Sequence, residues 1–116
     1  MATVGVVVVL FVTAGAVVQV QRFLDIHGYA AIALHVFSGA LSLSLLALAS
    51  QRKHGWWAAG LAVVLFAYSF VQAYLGKTAS LYMHIPGSLM VAAASISLAV
   101  WLLAQRVDGR SGSPVR

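Results

Sequence analysis

The sequence predicts an all-α membrane protein, a four-helix transmembrane up-and-down bundle, and two observations carry this prediction. Of the 116 residues, 62% are hydrophobic and only 8% are charged, against about 25% charged residues in an ordinary soluble domain. The charged residues also leave four long uncharged stretches, at residues 1–21, 26–51, 54–76 and 78–105. Each stretch reaches the length of about 20 residues that a membrane-spanning helix needs. A water-soluble fold is therefore excluded.

The four stretches predict helices at about residues 2–21, 29–50, 56–76 and 80–105 of one domain. Their continuous Ala, Val and Leu residues do not alternate with polar ones as the strands of a membrane β-barrel do. In the fourth helix, Pro86 either starts the helix or kinks it, and in the first case His84 lies on a connector. Short connectors at Arg22–Gly28, Gln51–Gly55 and Lys77–Ser80 make neighbouring helices antiparallel.

The basic residues predict the orientation of the bundle. Arg22 and Lys77 lie on one side of the predicted membrane. The remaining basic residues all lie on the other side, at Arg52, Lys53, Arg106, Arg110 and Arg116. By the positive-inside rule both termini are cytoplasmic, in a multi-pass protein of the cell inner (plasma) membrane. The three tryptophans, Trp56, Trp57 and Trp101, fall near the predicted inner boundary, where interfacial aromatic residues are expected.

The ends of the chain and its composition narrow the prediction further. The first stretch has an alternative interpretation as a cleavable signal peptide, with the small residues of 13–16 at the cleavage region. Residues 106–116 are rich in Gly, Ser and Arg and predict a disordered cytoplasmic tail.

There is no cysteine, so disulfides and thiolate metal sites are excluded. The basic residues that give the net charge of +5 lie in the short connectors and the tail. They are therefore interpreted as signals of membrane orientation, and nucleic acid is not a predicted partner.

A short repeat favours two similar helical hairpins. The residues Val-Val-Leu-Phe at 8–11 recur at 63–66, and a histidine opens the following span in each half, as His35 and His84. Two such hairpins place the second and fourth helices in the same direction. We therefore expect both histidines at a similar depth, near the outer surface.

The two histidines are the candidate site because ionisable residues within a span are costly and mark function. Helical spacing places Gly39 on the face of His35 and Gly87 on the face of His84. Two imidazoles on parallel helices, each with a glycine nearby to leave room for a ring, predict axial ligation of the iron of haem b. Arg22 and Lys77, at the outer helix ends, are placed to bind the carboxylates of the haem.

Other interpretations of the same residues stay open. The Gly and Ser faces are also typical of close helix packing in membranes, with each histidine donating a hydrogen bond across helices. His27, in the first connector, is interpreted as a helix cap or a solvated residue. A zinc or copper site is a further alternative, with four ligands on one side of the membrane: Asp25, His27, His35 and His84. No motif for hydrolysis is present, so enzymatic activity is left undecided.

The four spans, with Gln72, His35 and the segment Leu81-Tyr82-Met83-His84, resemble a broad group of small four-helix bacterial membrane proteins. Within it, the chain is similar to one half of haem A synthase or to a b-type cytochrome membrane domain, and also to small four-helix families with no assigned activity. The resemblance implies that His35 and His84 are the haem ligands. Such enzymes have an acidic residue near their haem or quinone site, and no intramembrane residue matches it here.

The sequence thus predicts an integral membrane protein that binds haem b and transfers electrons, or serves as an accessory subunit of a redox or respiratory assembly. One haem near one face of a bilayer needs a partner, which we expect to be a quinone or another membrane subunit. The alternative function is a cofactor-free structural or assembly subunit of a membrane protein complex.

Overall fold

The protein is a bundle of four α-helices, and the computed structural model describes residues 1–20, 24–77 and 81–111. The helices are α1 (Ala2–Val20), α2 (Leu24–Arg52), α3 (Trp56–Lys77) and α4 (Leu81–Ser111). Within the described ranges every regular element is helical, so the predicted fold class is confirmed. Long apolar sequences form helices in lipid because a helix satisfies its own backbone hydrogen bonds.

Three of the helices, α2, α3 and α4, are long and apolar enough to cross a membrane. The remaining helix, α1, has a shorter apolar segment at Ala2–Val17. The large apolar side chains on the outside of the bundle, such as Val64 at 61% and Met90 at 66% exposure, are those expected to face lipid. A membrane location is therefore consistent with both length and surface.

The helices follow one another around the bundle. Contacts join α1 to α2, α2 to α3, α3 to α4 and α4 to α1. Over the described ranges no Cα atom of α2 lies within 8 Å of a Cα atom of α4, so the two helices lie at diagonally opposite corners. Neighbouring helix axes are about 8–10 Å apart, and a square arrangement then separates the diagonal axes by roughly 13 Å. The candidate histidines belong to these two diagonal helices.

The core is built around α3, which places three small side chains at full burial. Ala58, Ala59 and Ala62 are each 0% exposed, and small residues allow membrane helices to approach closely. The hydroxyl of Ser42 on α2 bonds to the Ala62 carbonyl at 2.8 Å. Ser38, also fully buried, donates to Leu34 in its own helix at 2.6 Å. Many of the small polar residues are thus used in packing.

The helix ends differ from the predicted ones in three places. α2 begins at Leu24, so Asp25 and His27 lie in its first turns rather than in a connector. The carboxylate of Asp25 is favourable there because helix N-termini carry partial positive charge.

α4 begins at Leu81 and contains Pro86, so the alternative that starts the helix at Pro86 is wrong and His84 is helical. α4 also continues to Ser111, past the tail start expected at residue 106, and residues 112–116 lie outside the described residues.

The connector between α2 and α3 is tight and defines one end of the bundle, here called the connector end. Lys53 has a φ of 58° and Gly55 a φ of 84°, both in the left-handed region that favours glycine. The carbonyl of Gly55 accepts hydrogen bonds from the amides of Ala58 and Ala59 at 3.1 and 3.2 Å. The opposite end, which carries His27 and His84, is called the histidine end.

Candidate functional site: two histidines on diagonal helices

His84 is held against α3 by a main-chain hydrogen bond. Its Nδ1 lies 3.0 Å from the backbone carbonyl oxygen of Gln72. Gly76, one turn further along α3, leaves room for the imidazole, because a Cβ built there would lie 3.2 Å from His84 Cε1. The side chain is half-buried. The sequence of α3 therefore provides both the acceptor and the space for this ring.

His35 also has its Nδ1 engaged, in this case within its own helix. The acceptor is the backbone carbonyl of Ala31, one turn earlier in α2. The ring packs edge-to-face against Phe70 of α3, with ring centroids 4.0 Å apart and planes at 78°. Like His84, the side chain is half-buried. Both histidines thus contact α3, although they come from its two opposite neighbours.

The shared use of Nδ1 fixes the protonation pattern of both rings. A carbonyl oxygen only accepts hydrogen bonds, so each Nδ1 must carry the hydrogen. In the neutral imidazole the other nitrogen, Nε2, then keeps its lone pair. Metal-binding histidines usually show this arrangement, in which the second nitrogen donates to a carbonyl and orients the ligand. A neutral ring at either position therefore keeps the lone pair on Nε2, the nitrogen that is not bonded to the main chain.

The two rings contact α3 at different levels. His35 lies at Phe70, whereas His84 lies between the Gln72 carbonyl and Gly76. At 1.5 Å per residue this separation along α3 is roughly 3 to 9 Å. The two hairpins therefore do not position their histidines in the same way. The depths of the two histidine rings therefore differ more than the repeat predicts.

Side chains of α3 occupy the space next to both predicted site glycines. A Cβ on Gly39 would lie 3.1 Å from the ring of Phe66. A Cβ on Gly87 would lie 1.9 Å from Gln72 Nε2 and 2.7 Å from the hydroxyl of Tyr68. Each glycine is thus required for close packing against α3 in this structure. For the predicted haem ring to lie beside either glycine, these α3 side chains would have to move.

Gln72 has an unpaired donor close to His84. The residue is 6% exposed, and over the described ranges its Nε2 has no hydrogen-bond partner. Its Oε1 accepts from Ser88 at 3.4 Å. Tyr68, Gln72 and Gly76 are four residues apart and share one face of α3. That spacing is the sequence signal that would have identified Gly76 as a neighbour of His84 and Tyr68 as a neighbour of Gly87.

His27, predicted as a helix cap or a solvated residue, is half-buried in the structure and contacts α1. Its Nδ1 lies 3.1 Å from the hydroxyl of Thr13 on α1, its ring also contacts the Leu10 carbonyl, and it is close enough to His84 for their charges to interact. The four-ligand zinc or copper alternative is wrong, because in the described ranges no three histidine or acidic side chains come together as a metal group. The reason is that His35 lies two turns beyond His27 and faces Phe70.

The predicted basic partners are only partly described. Lys77 is exposed and ends α3 at the histidine end, whereas Arg22 lies outside the described residues. One cavity lies at the connector end, and an open groove lies between α1 and α2. Neither is lined by His35 or His84.

Comparisons of the chain with protein-family models, with curated proteins and with solved structures found no match.

Proposed function

We propose that the protein binds one haem b through His35 and His84 and serves in electron transfer, as a small membrane subunit of a redox assembly. The observation that carries this proposal is the shared tautomer of the two rings. Each Nδ1 is bonded to a backbone carbonyl, which leaves each Nε2 as a metal ligand.

The placement of the two helices also supports ligation from opposite sides. The backbones of α2 and α4 lie on a diagonal of the bundle and do not pack directly against each other, and cofactors of helical bundles bind in the core between facing helices. A planar ring between two axial imidazoles needs such opposed helices. Directly packed helices would leave it no width.

The two imidazoles, as nitrogen ligands, fit the iron of a haem. The unpaired side-chain amide of Gln72 also fits a bound group at this place. Gln72 Nε2 is buried without a described partner against Gly87, which lies one helical turn after His84, and an unpaired buried donor costs about 1–3 kcal/mol. For a haem to be held beside the two glycines, Gln72 and Tyr68 would have to move away from Gly87, and Phe66 away from Gly39. The amide of Gln72 is then free to find an acceptor that it lacks in the cofactor-free chain.

In this proposal the residues of the chain bind, orient and shield the group. Gln72 and Ala31 hold the two imidazoles through their carbonyls, Phe70 packs against one ring, and Lys77 provides a cation for a carboxylate. A bound haem supplies a one-electron Fe(III)/Fe(II) couple. A quinone or a second membrane subunit is the proposed electron partner, because a single haem at one depth does not span the bilayer.

Absorption spectroscopy of the purified protein tests the proposal. The protein is expressed with a haem precursor, purified in mild detergent and scanned before and after reduction with dithionite. We expect a Soret band with a sharp reduced α-band, typical of two axial histidines. His35→Ala and His84→Ala should each lose the six-coordinate spectrum, and the double variant should lose the haem.

Two further histidines are the matched controls. His27→Ala removes the other histidine of α2, and His54→Ala removes one at the connector end; both should keep the spectrum. Loss in His27→Ala with retention in His35→Ala would overturn the assignment of the α2 ligand. A colourless parent protein that is folded by circular dichroism, from haem-supplied cells, would overturn haem binding altogether.

One observation favours the second candidate function, a cofactor-free assembly subunit. The open groove between α1 and α2 has an empty volume of about 730 Å³. It is lined largely by small or apolar side chains: Ala2, Gly5, Val6, Val9, Ile26, Tyr29, Ala30 and Ala33. Grooves of this kind suit a helix of another subunit. The colourless, folded outcome above, together with loss of complex formation in Gly5→Leu, would support this function instead.

A further inference from the structure

Three exposed tyrosines form a belt around the histidine end, here called the tyrosine belt. Tyr29 of α2, Tyr74 of α3 and Tyr82 of α4 are 72%, 67% and 80% exposed. Their heights can be compared along α3, because both neighbouring helices contact it. Tyr29 lies six residues before His35, and Tyr82 lies two residues before His84. Both histidine rings contact α3 at known levels, so the three tyrosines fall within roughly 6 Å of one another along the bundle.

The three tryptophans form a second belt at the connector end, here called the tryptophan belt. Trp56 and Trp57 open α3 and are both exposed. Trp101 of α4 reaches the same level, because its ring centroid lies 5.2 Å from that of Trp57. Along α3, Trp57 is 17 residues before Tyr74, and with the outer members of each belt the separation is roughly 26–30 Å. The hydrocarbon core of a bilayer is about 30 Å thick, and Trp and Tyr are enriched at its two boundaries.

The charged side chains support the same two boundaries. Asp25 and Lys77 lie beyond the tyrosine belt, and Arg52 and Lys53 lie beyond the tryptophan belt. Between the belts, the described parts of α2, α3 and α4 contain no Asp, Glu, Lys or Arg. A charged side chain within hydrocarbon is costly. This distribution is therefore the one expected if the bilayer lies between the belts.

The two candidate histidines lie at different depths below the tyrosine belt. His84 follows Tyr82 by two residues of α4, which is roughly 3 Å. His35 follows Tyr29 by six residues of α2, which is roughly 9 Å, and its ring packs against Phe70. One histidine is thus at the boundary that the belt marks, and the other is inside it.

We propose that the two belts mark the boundaries of the bilayer, and that the boundary at the histidine end lies at the level of His84. His84 is then reached from the aqueous phase, whereas His35 lies within the hydrocarbon core. A small water-soluble ligand or reagent therefore meets the candidate site at His84. The placement does not depend on haem binding, because it is a property of the cofactor-free chain.

Spin labels along one face of α4 test the two boundaries. The chain has no cysteine, so single cysteines can replace four exposed residues that are seven positions apart: Tyr82, Leu89, Ile96 and Leu103. Each labelled variant is reconstituted in lipid nanodiscs, and its depth is measured from collisions with oxygen and with a water-soluble nickel chelate. We expect labels at Leu89 and Ile96 to lie about 10 Å deeper than labels at Tyr82 and Leu103, the rise of seven helical residues.

Thiol labelling compares the surroundings of the two histidines. Met83 and Val36 are the sequence neighbours of His84 and His35 and are 51% and 63% exposed, so a cysteine at either position leaves the core intact. In the nanodiscs, Met83→Cys should react with a membrane-impermeant maleimide and Val36→Cys should not. Reaction of both variants after unfolding in SDS is the control for an intact thiol.

Three results would overturn the proposal. Equal access of the nickel chelate to all four positions of α4 would show that no hydrocarbon boundary lies at the belts. Reaction of Val36→Cys in the nanodiscs, or protection of Met83→Cys, would contradict the depths assigned to the two histidines. Exclusion of both oxygen and nickel chelate from Leu89 and Ile96 would show that another protein, rather than lipid, covers this face.

Discussion

The ring of His84 on α4 is tied to the main chain of α3, with its Nδ1 3.0 Å from the carbonyl oxygen of Gln72. A backbone acceptor is present whichever side chain occupies position 72. Changes of the Gln72 side chain therefore leave the orientation of His84 intact while altering the surroundings of Gly87. This separation makes it possible to test the packing of the site and its hydrogen bonding one at a time.

Gly87→Ala should lower the free energy of unfolding by about 1–3 kcal/mol, the usual cost of overpacking. The reason is that the added Cβ would meet Gln72 Nε2 at 1.9 Å. Gly60→Ala is the control, because nothing lies within 4 Å of its Cβ position. Unfolding in mixed detergent micelles, followed by circular dichroism, measures both. Adding Gln72→Ala to Gly87→Ala should recover part of the loss; equal effects at the two glycines would contradict the contact.

Gln72→Leu should raise the free energy of unfolding of the cofactor-free protein by about 1 kcal/mol. Replacing an unpaired buried amide with an apolar side chain of similar size removes a desolvation cost. Ser88 loses only a long contact, since its hydroxyl also bonds to the His84 carbonyl at 2.7 Å. Gln51→Leu, at an exposed position of α2, is the control and should change stability by less than about 0.5 kcal/mol. A lower stability of Gln72→Leu would show that the amide has a partner.

Ser42→Ala should reduce stability by about 0.6–1.7 kcal/mol, the range measured for hydrogen bonds between membrane helices. Its hydroxyl lies 2.8 Å from the Ala62 carbonyl of α3 and 2.8 Å from the Ser38 carbonyl of its own helix, and its one hydrogen is shared between them. Ser44→Ala is a matched control in the same helix, because the Ser44 hydroxyl bonds only to Ala40, one turn earlier, at 2.7 Å. The same micelle titration compares them. If both variants lose the same amount, the interhelical bond is not the cause.

The connector should respond oppositely to two substitutions. Lys53→Gly should stabilise the protein by roughly 1 kcal/mol, because it relieves a side chain from a φ of 58°. Gly55→Ala should destabilise it by about 1–2 kcal/mol, since it introduces a side chain at a φ of 84° and against Trp101. Thermal unfolding in detergent gives both signs. A destabilising Lys53→Gly would show that the lysine side chain contributes a contact that outweighs its strain.

Much of the fold follows from sequence because charge spacing alone sets where a chain can enter and leave lipid. The stretches between Arg22, Arg52 and Lys77 gave the helices within a few residues of their true ends. The exact ends of the helices are less predictable. A charged residue such as Asp25 is compatible with a connector, but its carboxylate also stabilises the first turn of a helix. Similarly, Pro86 is accommodated within α4 near its start, where few backbone bonds are lost.

The candidate site was only partly predictable. Helical spacing predicts Gly87 on the face of α4 that carries His84 and Gly39 on the face of α2 that carries His35, and in the structure both glycines and both histidines contact α3. It did not give the depth of the rings, which depends on how far α2 and α4 slide along α3. It also misplaced His27, because a histidine near a helix start is as compatible with an inward contact to Thr13 as with solvent.

The dependence of both candidate ligands on α3 has a consequence for biogenesis. When the chain is synthesised from its N-terminus, the α1–α2 hairpin enters the bilayer first, and His35 then has no aromatic neighbour until Phe70 follows. His84 arrives last, against a carbonyl already in place at Gln72. Truncation before α4 would therefore leave α2 packed on α3 and the His35 ring against Phe70, and would remove His84.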